Sequence, residues 1–405
     1  MQHSASNPVR PLDGIRVLEL GQLLAGPFTT CVLAYFGAEV IKVEPPGGDP
    51  LRTWRITRDG TSLWWYSLAR NKKSVGIDLQ SSEGRKLVSD LALKCDVVVE
   101  NFRPGTMEKW DLGPDTLKAK KPDLIYARVS GYGQTGPYAS KPGFASVCEA
   151  VSGFRYVTGF PNQPPVRPNL SLGDTLAGMH AVVGILLALV TRLRSTSARG
   201  QVVDVAIYES IFNMLEAVVP EYDGAGVVRE PSGSTVTGIV PTNTYLCGDD
   251  KYVVIGANGD SLFKRLMEAI GRPEMACDER FAKNSGRVQH EREIDAAITA
   301  WTRAHGSQTV LDTLAAAAVP SGPIYNVADM LSDPHFQARE LFETVRVSDQ
   351  PLKIPAILPK LESTPGRTDW PGPTLGAHNG EVLGGLLGLA ANDIERLRSE
   401  KVVFP

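Results

Sequence analysis

Between residues 15 and 130, short apolar runs alternate with stretches of helical periodicity, and this alternation constrains the fold more than any other feature. Residues 15–20, 39–44, 74–79, 96–100 and 123–129 read as strands. Residues 28–36 read as a helix stopped by Gly37, and Ser82 is expected to cap a helix running to about Lys94. A short helical patch follows near residues 115–118. Strands that alternate with helices bury both faces of a mostly parallel sheet, so the class is α/β. Ligands of such sheets bind beyond the carboxyl ends of the strands.

A proline-punctuated loop then leads to Asp174, after which residues 176–190 are apolar at helical spacing. Leu176, Met179, Val183, Leu186, Leu187 and Val190 form one stripe of what reads as a core helix. Ala177, Ala181, Gly184 and Ala188 form a second stripe of small residues that admits another backbone at close range and points to a homodimer. The run is shorter than the ~20 residues needed to span a bilayer. On the residues alone, Asp174 is either the helix N-cap, the plainer reading, or a nucleophile at the mouth of a buried helix. Residues 201–207 read as a strand and 207–217 as a helix. Gly, Pro and Ser accumulate over 222–234, which reads as a linker. A hairpin (242–247 and 251–257) and helices at 261–270, 291–305 and 308–318 make a smaller α+β domain. Terminal helices are expected near 380–387 and 392–401.

At 405 residues and 42% hydrophobic content, the chain can bury two cores. A net charge of −3 offers no field for nucleic acid or an anionic membrane. The five cysteines (31, 95, 148, 247 and 277) show no CxxC or Cys/His cluster, so no metal is expected, and reduced thiols suit a cytoplasmic protein. Residues 1–8 lack an apolar core and read as a mobile lead-in.

The first strand–helix loop, Gly21-Gln-Leu-Leu-Ala-Gly26, superficially suggests a dinucleotide site. It is not G-x-G-x-x-G, and its leucines would obstruct a pyrophosphate. His180 lies six residues beyond Asp174, on another helix face, and reads as a core or interface histidine.

Six blocks together resemble the family III CoA-transferases, which include formyl-CoA transferase, carnitine CoA-transferase and the α-methylacyl-CoA racemases. The blocks begin at Pro11 (Pro-Leu-Asp-Gly-Ile-Arg-Val-Leu-Glu-Leu), Gly37 (Gly-Ala-Glu-Val-Ile-Lys-Val-Glu), Arg70 (Arg-Asn-Lys-Lys-Ser), Val99 (Val-Glu-Asn-Phe-Arg-Pro-Gly), Gly131 (Gly-Tyr-Gly-Gln-Thr-Gly-Pro) and Leu172 (Leu-Gly-Asp-Thr-Leu-Ala-Gly-Met-His). Within the family, the chain looks most like members that use succinyl-CoA and dicarboxylates. The resemblance implies a Rossmann-like large domain built from both termini (residues 1–222 and 328–405), a small domain (223–327) and an interlocked homodimer. It implies that Asp174 is the nucleophile, forming an aspartyl anhydride and then an aspartyl-CoA thioester. Coenzyme A enters as thioester substrate together with a small carboxylic acid, and no cofactor is permanently bound.

The resemblance places CoA contacts at Leu24, Ala25, Ile77, Asp78, Asn101, Phe102, Arg103, Lys109 and Lys141. Pro45 stands where many relatives carry Arg, so Arg103 or Arg70 is expected to substitute. The arginines of residues 52–58, with Arg70, Arg155 and Arg167, are candidates for a distal carboxylate. Racemase members use a proton-transfer His at the position of Phe144, and a phenyl ring cannot move a proton. Transfer is therefore favoured over racemisation; Phe144 is expected to wall the pocket. A CoA-binding protein without turnover is the remaining alternative, against which the intact Gly173-Asp174 pair speaks.

Overall fold

Seven strands form the main sheet of the computed structural model, which describes residues 9–195, 197 and 199–405. The lead-in, residues 1–8, lies outside the described residues. In chain order the strands are β1 (Arg16–Glu19), β2 (Glu39–Glu44), β3 (Lys72–Ile77), β4 (Val97–Glu100), β5 (Ile125–Ser130), β6 (Val202–Ala206) and β7 (Val403–Phe404). Their spatial order is β7-β3-β2-β1-β4-β5-β6, parallel throughout except for β7. The 3-2-1-4-5-6 order is that of doubly wound nucleotide-binding sheets, whose crevice opens where the winding reverses, between β1 and β4. Near-continuous Val and Ile runs such as Val97–Glu100 suit strands covered on both faces. Helix α1 (Ala25–Tyr35) joins β1 to β2, and α2 (Ser82–Ala92) follows β3. Ser81, not Ser82, caps α2 by accepting from the Gly84 amide.

Two helices set the neighbourhood of Asp174: α3 (Ala145–Val151) and α4 (Leu172–Arg194). Helix α4 begins earlier than its apolar pattern, so Ser171 occupies the N-cap and Asp174 lies inside the first turn. The N-cap reading of Asp174 is thereby corrected. The small-residue stripe, read as pointing to a homodimer, is instead buried within the chain itself. Ala177, Ala181 and Ala188 are buried, whereas Met179, Val183, Leu186, Leu187 and Val190 are exposed. The cause is close approach. The Thr29 hydroxyl donates to the Gly178 carbonyl at 3.3 Å, and a Cβ on Gly178 would lie 2.8 Å from the Phe28 ring. A Cβ on Gly184 would lie 2.5 Å from Val203. Small residues thus form the close seam with α1 and β6, Val182, Ile185 and Leu189 join the core beside it, and Met179, Val183, Leu186, Leu187 and Val190 are turned outward. With 23 residues, α4 is long and apolar enough to cross a membrane by length and composition alone, which corrects the shorter span read from sequence.

The chain divides into two compact units, Met1–Phe154 with Pro168–Leu215 and Gln337–Pro405, and Arg155–Arg167 with Glu216–Phe336. The segment Arg155–Arg167, read as part of the first domain, clusters with the second. That second unit has a three-stranded antiparallel sheet (Thr242–Leu246, Tyr252–Gly256, Ser321–Pro323) packed by Phe263, Leu266, Ile294, Ile298, Val310 and Leu314. The stretch read as a linker begins inside a helix, Val218–Ala225, that stops at Gly226 in the left-handed region.

If the α1–α4 seam requires a bare backbone at position 178, Gly178→Val should destabilise the protein by about 1–3 kcal/mol, the usual range for overpacking. Urea unfolding measures this, and a variant as stable as the parent would show that the seam has slack.

Candidate functional site

At the carboxyl ends of β1 to β4 lies a cavity of about 430 Å³ lined by Leu20, Gln22, Val43, Pro45, Pro46, Asp78, Leu79, Gln80, Phe102 and Trp110. Its walls come from four successive strand ends at the reversal of winding, where the fold class places ligands. Phe102 and Trp110 meet edge to face with centroids 5.3 Å apart. Most of the lining is apolar, with two carboxamides and one carboxylate as polar anchors, a composition suited to a planar polar ring with an apolar surround. Gln22 and Trp110 were not singled out from sequence. Gln22 follows the end of β1 closely, which is a signal that could have marked it, whereas Trp110 comes after the short helix Thr106–Lys109 and has no such signal.

The loop between β1 and α1 is pinned at three consecutive residues. The Lys42 ammonium donates to the Gly21 carbonyl at 2.9 Å. The Asn101 carboxamide accepts from the Gln22 amide and donates to the Gln22 carbonyl, both at 2.8 Å. The Asp49 carboxylate accepts from the Leu23 amide at 3.1 Å. Leu23 has φ 63°, a left-handed conformation that costs a residue with a Cβ roughly 1–3 kcal/mol. Beneath the loop, Lys42 pairs with Glu19 at 2.7 Å and Asp49 at 2.8 Å, and Lys72 pairs with Glu19 at 2.8 Å, all four side chains being buried. Burial alone would raise the Glu19 pKa, but Lys42 and Lys72 outweigh it and hold the carboxyl down at about 2.

Asp174 is half-buried in the first turn of α4, where the helix dipole favours negative charge. Its neighbour Gly173 is buried; a Cβ there would meet Ala145 at 3.3 Å and Ile211 at 3.0 Å. The Gly173 amide donates to the buried Glu149 carboxylate at 3.3 Å. Burial, with Asp174 nearby, pushes the Cys148 thiol up to about 11, so it stays protonated. One turn beyond Asp174, Gly178 packs against Ala25, the first residue of α1. The end of the pinned loop and the start of α4 are therefore neighbours. His180 donates through Nδ1 to the Leu176 carbonyl, 2.9 Å away, within its own helix.

The other residues read as ligand contacts fall into two groups. Asp78 and Phe102 line the cavity, and Arg103 and Lys109 are exposed in the segment between Phe102 and Trp110. Leu24, Ala25 and Ile77 are buried among core side chains, which leaves only their main chain for a ligand, and Asn101 is occupied by Gln22. Lys141 is exposed, its ammonium 3.5 Å from the centroid of the Tyr138 ring. Two arginines read as candidates for anion binding are committed elsewhere. Arg70 is buried, donating to the Pro355 carbonyl, Ser67 and Glu343. Arg52 grips Glu44 with two nitrogens at 2.7 Å and stacks on Trp65. Arg155 and Arg167 belong to the second unit. Phe144 is 70% exposed on the single chain, immediately before Ala145.

Comparisons with known proteins agree with one another. The sequence profile of CoA-transferase family III matches residues 12–379. Succinyl-CoA–D-citramalate CoA-transferase of Chloroflexus aurantiacus is 49% identical over 99% of this chain and 100% of its own length. The succinyl-CoA–L-malate CoA-transferase alpha subunit of Chloroflexus aurantiacus is 42% identical, covering 97% of this chain and 92% of its own. A CAIB/BAIF family protein from Brucella suis, solved by crystallography, superposes with a TM-score of 0.83 at 33% identity, covering 93% of this chain and 99% of that one.

The charge network beneath the loop has a pH signature. Because the Glu19 pKa is depressed in the folded state from 4.5 to about 2, its contribution is complete above the unfolded value and lost as pH falls toward 2. A shift of this size is worth about 3 kcal/mol at ~1.4 kcal/mol per unit. Glu19→Gln should therefore be markedly less stable than the parent at pH 7, and the gap should close between pH 4.5 and 2. A gap that is constant with pH, measured by chemical denaturation, would contradict the assignment.

Proposed function

Because the chain belongs to the family III CoA-transferases, we propose that it transfers CoA from succinyl-CoA to a hydroxylated dicarboxylate such as citramalate or malate, with Asp174 as nucleophile. The observation that carries this reading is the place of Asp174. A carboxylate that is not the N-cap stands in the first turn of a 23-residue helix, one turn from the loop that borders the cavity. One Asp174 oxygen attacks the thioester carbonyl; the C–S bond breaks, and CoA leaves as thiolate while a succinyl-aspartyl anhydride forms. The thiolate then attacks the aspartyl carbonyl, expelling succinate and leaving an aspartyl-CoA thioester. The acceptor carboxylate attacks that thioester, and the thiolate returns to the acceptor's acyl carbon, regenerating Asp174. No net proton transfer is required. The amides and dipole of the α4 N-terminus are placed to stabilise each tetrahedral oxyanion. Exclusion of water preserves the anhydride.

The cavity is assigned to the nucleotide end of CoA, with Phe102 and Trp110 against the base and Arg103 and Lys109 toward the phosphates. Lys141 is assigned to the same ligand. Ala145 packs on Gly173, so position 144 stands near the nucleophile's helix turn. Phenylalanine there leaves a racemase without its second proton carrier. The exposed apolar face of α4 is assigned to a second copy of the chain in a homodimer.

Incubated with succinyl-CoA and citramalate or malate, the protein should yield the acceptor's CoA thioester by mass spectrometry. No product, with α-hydrogen exchange into a 2-methylacyl-CoA, would favour the racemase alternative. Asp174→Asn should retain its fold, with a melting temperature near the parent's, and lose at least about a thousandfold in kcat, since an amide does not open a thioester. A variant that retained a tenth of parental turnover would remove Asp174 from the mechanism. Light scattering should report twice the 43.7 kDa chain mass, and a stable active monomer would refute the dimer.

A further inference from the structure

Asp49 lies outside the cavity lining and touches the loop only through its backbone. Both carboxylate oxygens lie within 3.3 Å of the Leu23 amide, and Oδ1 also accepts from the Leu51 amide at 2.9 Å. The Lys42 ammonium, 2.8 Å away, holds the charge in place although Asp49 is only 1% exposed. What Asp49 grips is a leucine at φ 63°, a conformation that residues without a Cβ adopt freely and leucine resists. On one side of Leu23 is Gln22, which lines the cavity and is clasped by Asn101. On the other is Leu24, the N-cap of α1, followed by Ala25 against Gly178 of the nucleophile's helix. A change at Leu23 is therefore passed in one direction to the cavity wall and in the other to the start of α1.

We infer that Asp49 is a positioning residue for acyl-CoA. It holds Leu23 in the left-handed conformation and so fixes the Gln22 side chain and the Leu24–Ala25 main chain where the thioester substrate meets them. It neither touches the substrate nor moves a proton. This inference rests on the CoA-transfer reading above and adds to it a cause for the loop's shape. Glycine would need no such restraint, so the role of Asp49 is tied to a particular residue in the loop of the neighbouring strand, and that link is open to test.

The test is steady-state kinetics with succinyl-CoA as the varied substrate. Asp49→Ala leaves Lys42 paired with Glu19, so no buried ammonium is orphaned. It should raise KM for succinyl-CoA by at least about tenfold, with kcat within about threefold, as expected when uniform binding is lost. Adding Leu23→Gly to Asp49→Ala should recover most of that KM. Adding Leu23→Ala, which removes the same side chain without relieving the left-handed backbone, should recover none. If Asp49→Ala does not fold, Asp49→Asn, which keeps one oxygen acceptor, should raise KM by a smaller factor and show the same glycine-only rescue. An unchanged KM in either folded variant, or equal behaviour of Gly and Ala at position 23, would overturn the role of Asp49. A parent enzyme that turns over no acyl-CoA would instead overturn the functional reading, and this inference with it.

Discussion

The ammonium of Lys42 is buried in the interior of the sheet, bonded to Glu19, Asp49 and the Gly21 carbonyl. An unpaired charge there would be costly, and Lys42 is spared that cost by having two carboxylate partners and a carbonyl rather than one. Its members come from β1, β2, β3 and the loop after β2, the elements that border the cavity. The network thus does two things with one set of contacts. It ties three adjacent strands, from Glu19 at the carboxyl end of β1 through Lys42 within β2 to Lys72 at the start of β3, and it supplies the rigid base on which the loop of residues 21–24 is held in a strained shape.

Above that base, the α1–α4 seam brings the start of α4 beside the loop at the sheet end. Gly178 and Ala177 let α4 lie close enough to α1 for the loop's last residue to neighbour the helix turn that carries Asp174. A bulkier seam would move that carboxylate away from the cavity side of the sheet. The same packing explains why the large apolar residues of α4 face outward. In an α/β domain of one chain that face has nothing to cover it, and the proposed dimer is the simplest occupant.

Much of this organisation was legible in the sequence where a local signal existed. The Glu39–Glu44 strand was read to the residue because the Pro45-Pro46-Gly47 stop is unambiguous. Asp174 and the segment from Asn101 to Lys109 were singled out because their blocks resemble a known family. The start of α4 was misplaced because Leu172 and Gly173 follow a proline-rich loop and precede the apolar run, so periodicity alone began the helix too late. The small-residue stripe was read as pointing to a second chain because close backbone approach has the same sequence pattern whether the neighbour is another subunit or, as here, α1 and β6 of the same chain. Strand β7 is two residues long and pairs only through contact with β3, for which no local pattern exists. The hairpin Phe342–Val347 with Gln350–Pro355 turns through Ser348 and Asp349, both at positive φ, without the glycine that usually announces such a turn. Arginine counts were the least informative signal: Arg52 and Arg70 read as anion-binding candidates, and both are consumed by buried structural contacts.

The central claim is that Asp174 becomes covalently acylated. The most direct measurement is peptide mass spectrometry after mixing the enzyme with succinyl-CoA alone and reducing the aspartyl-CoA thioester with borohydride. The account requires the peptide containing Asp174 to lose the mass of one oxygen atom and gain two hydrogens, as its carboxyl is reduced to an alcohol, with fragment ions placing the change at that residue. An unmodified peptide from an enzyme that is turning over, or a modification at any other residue, would contradict it.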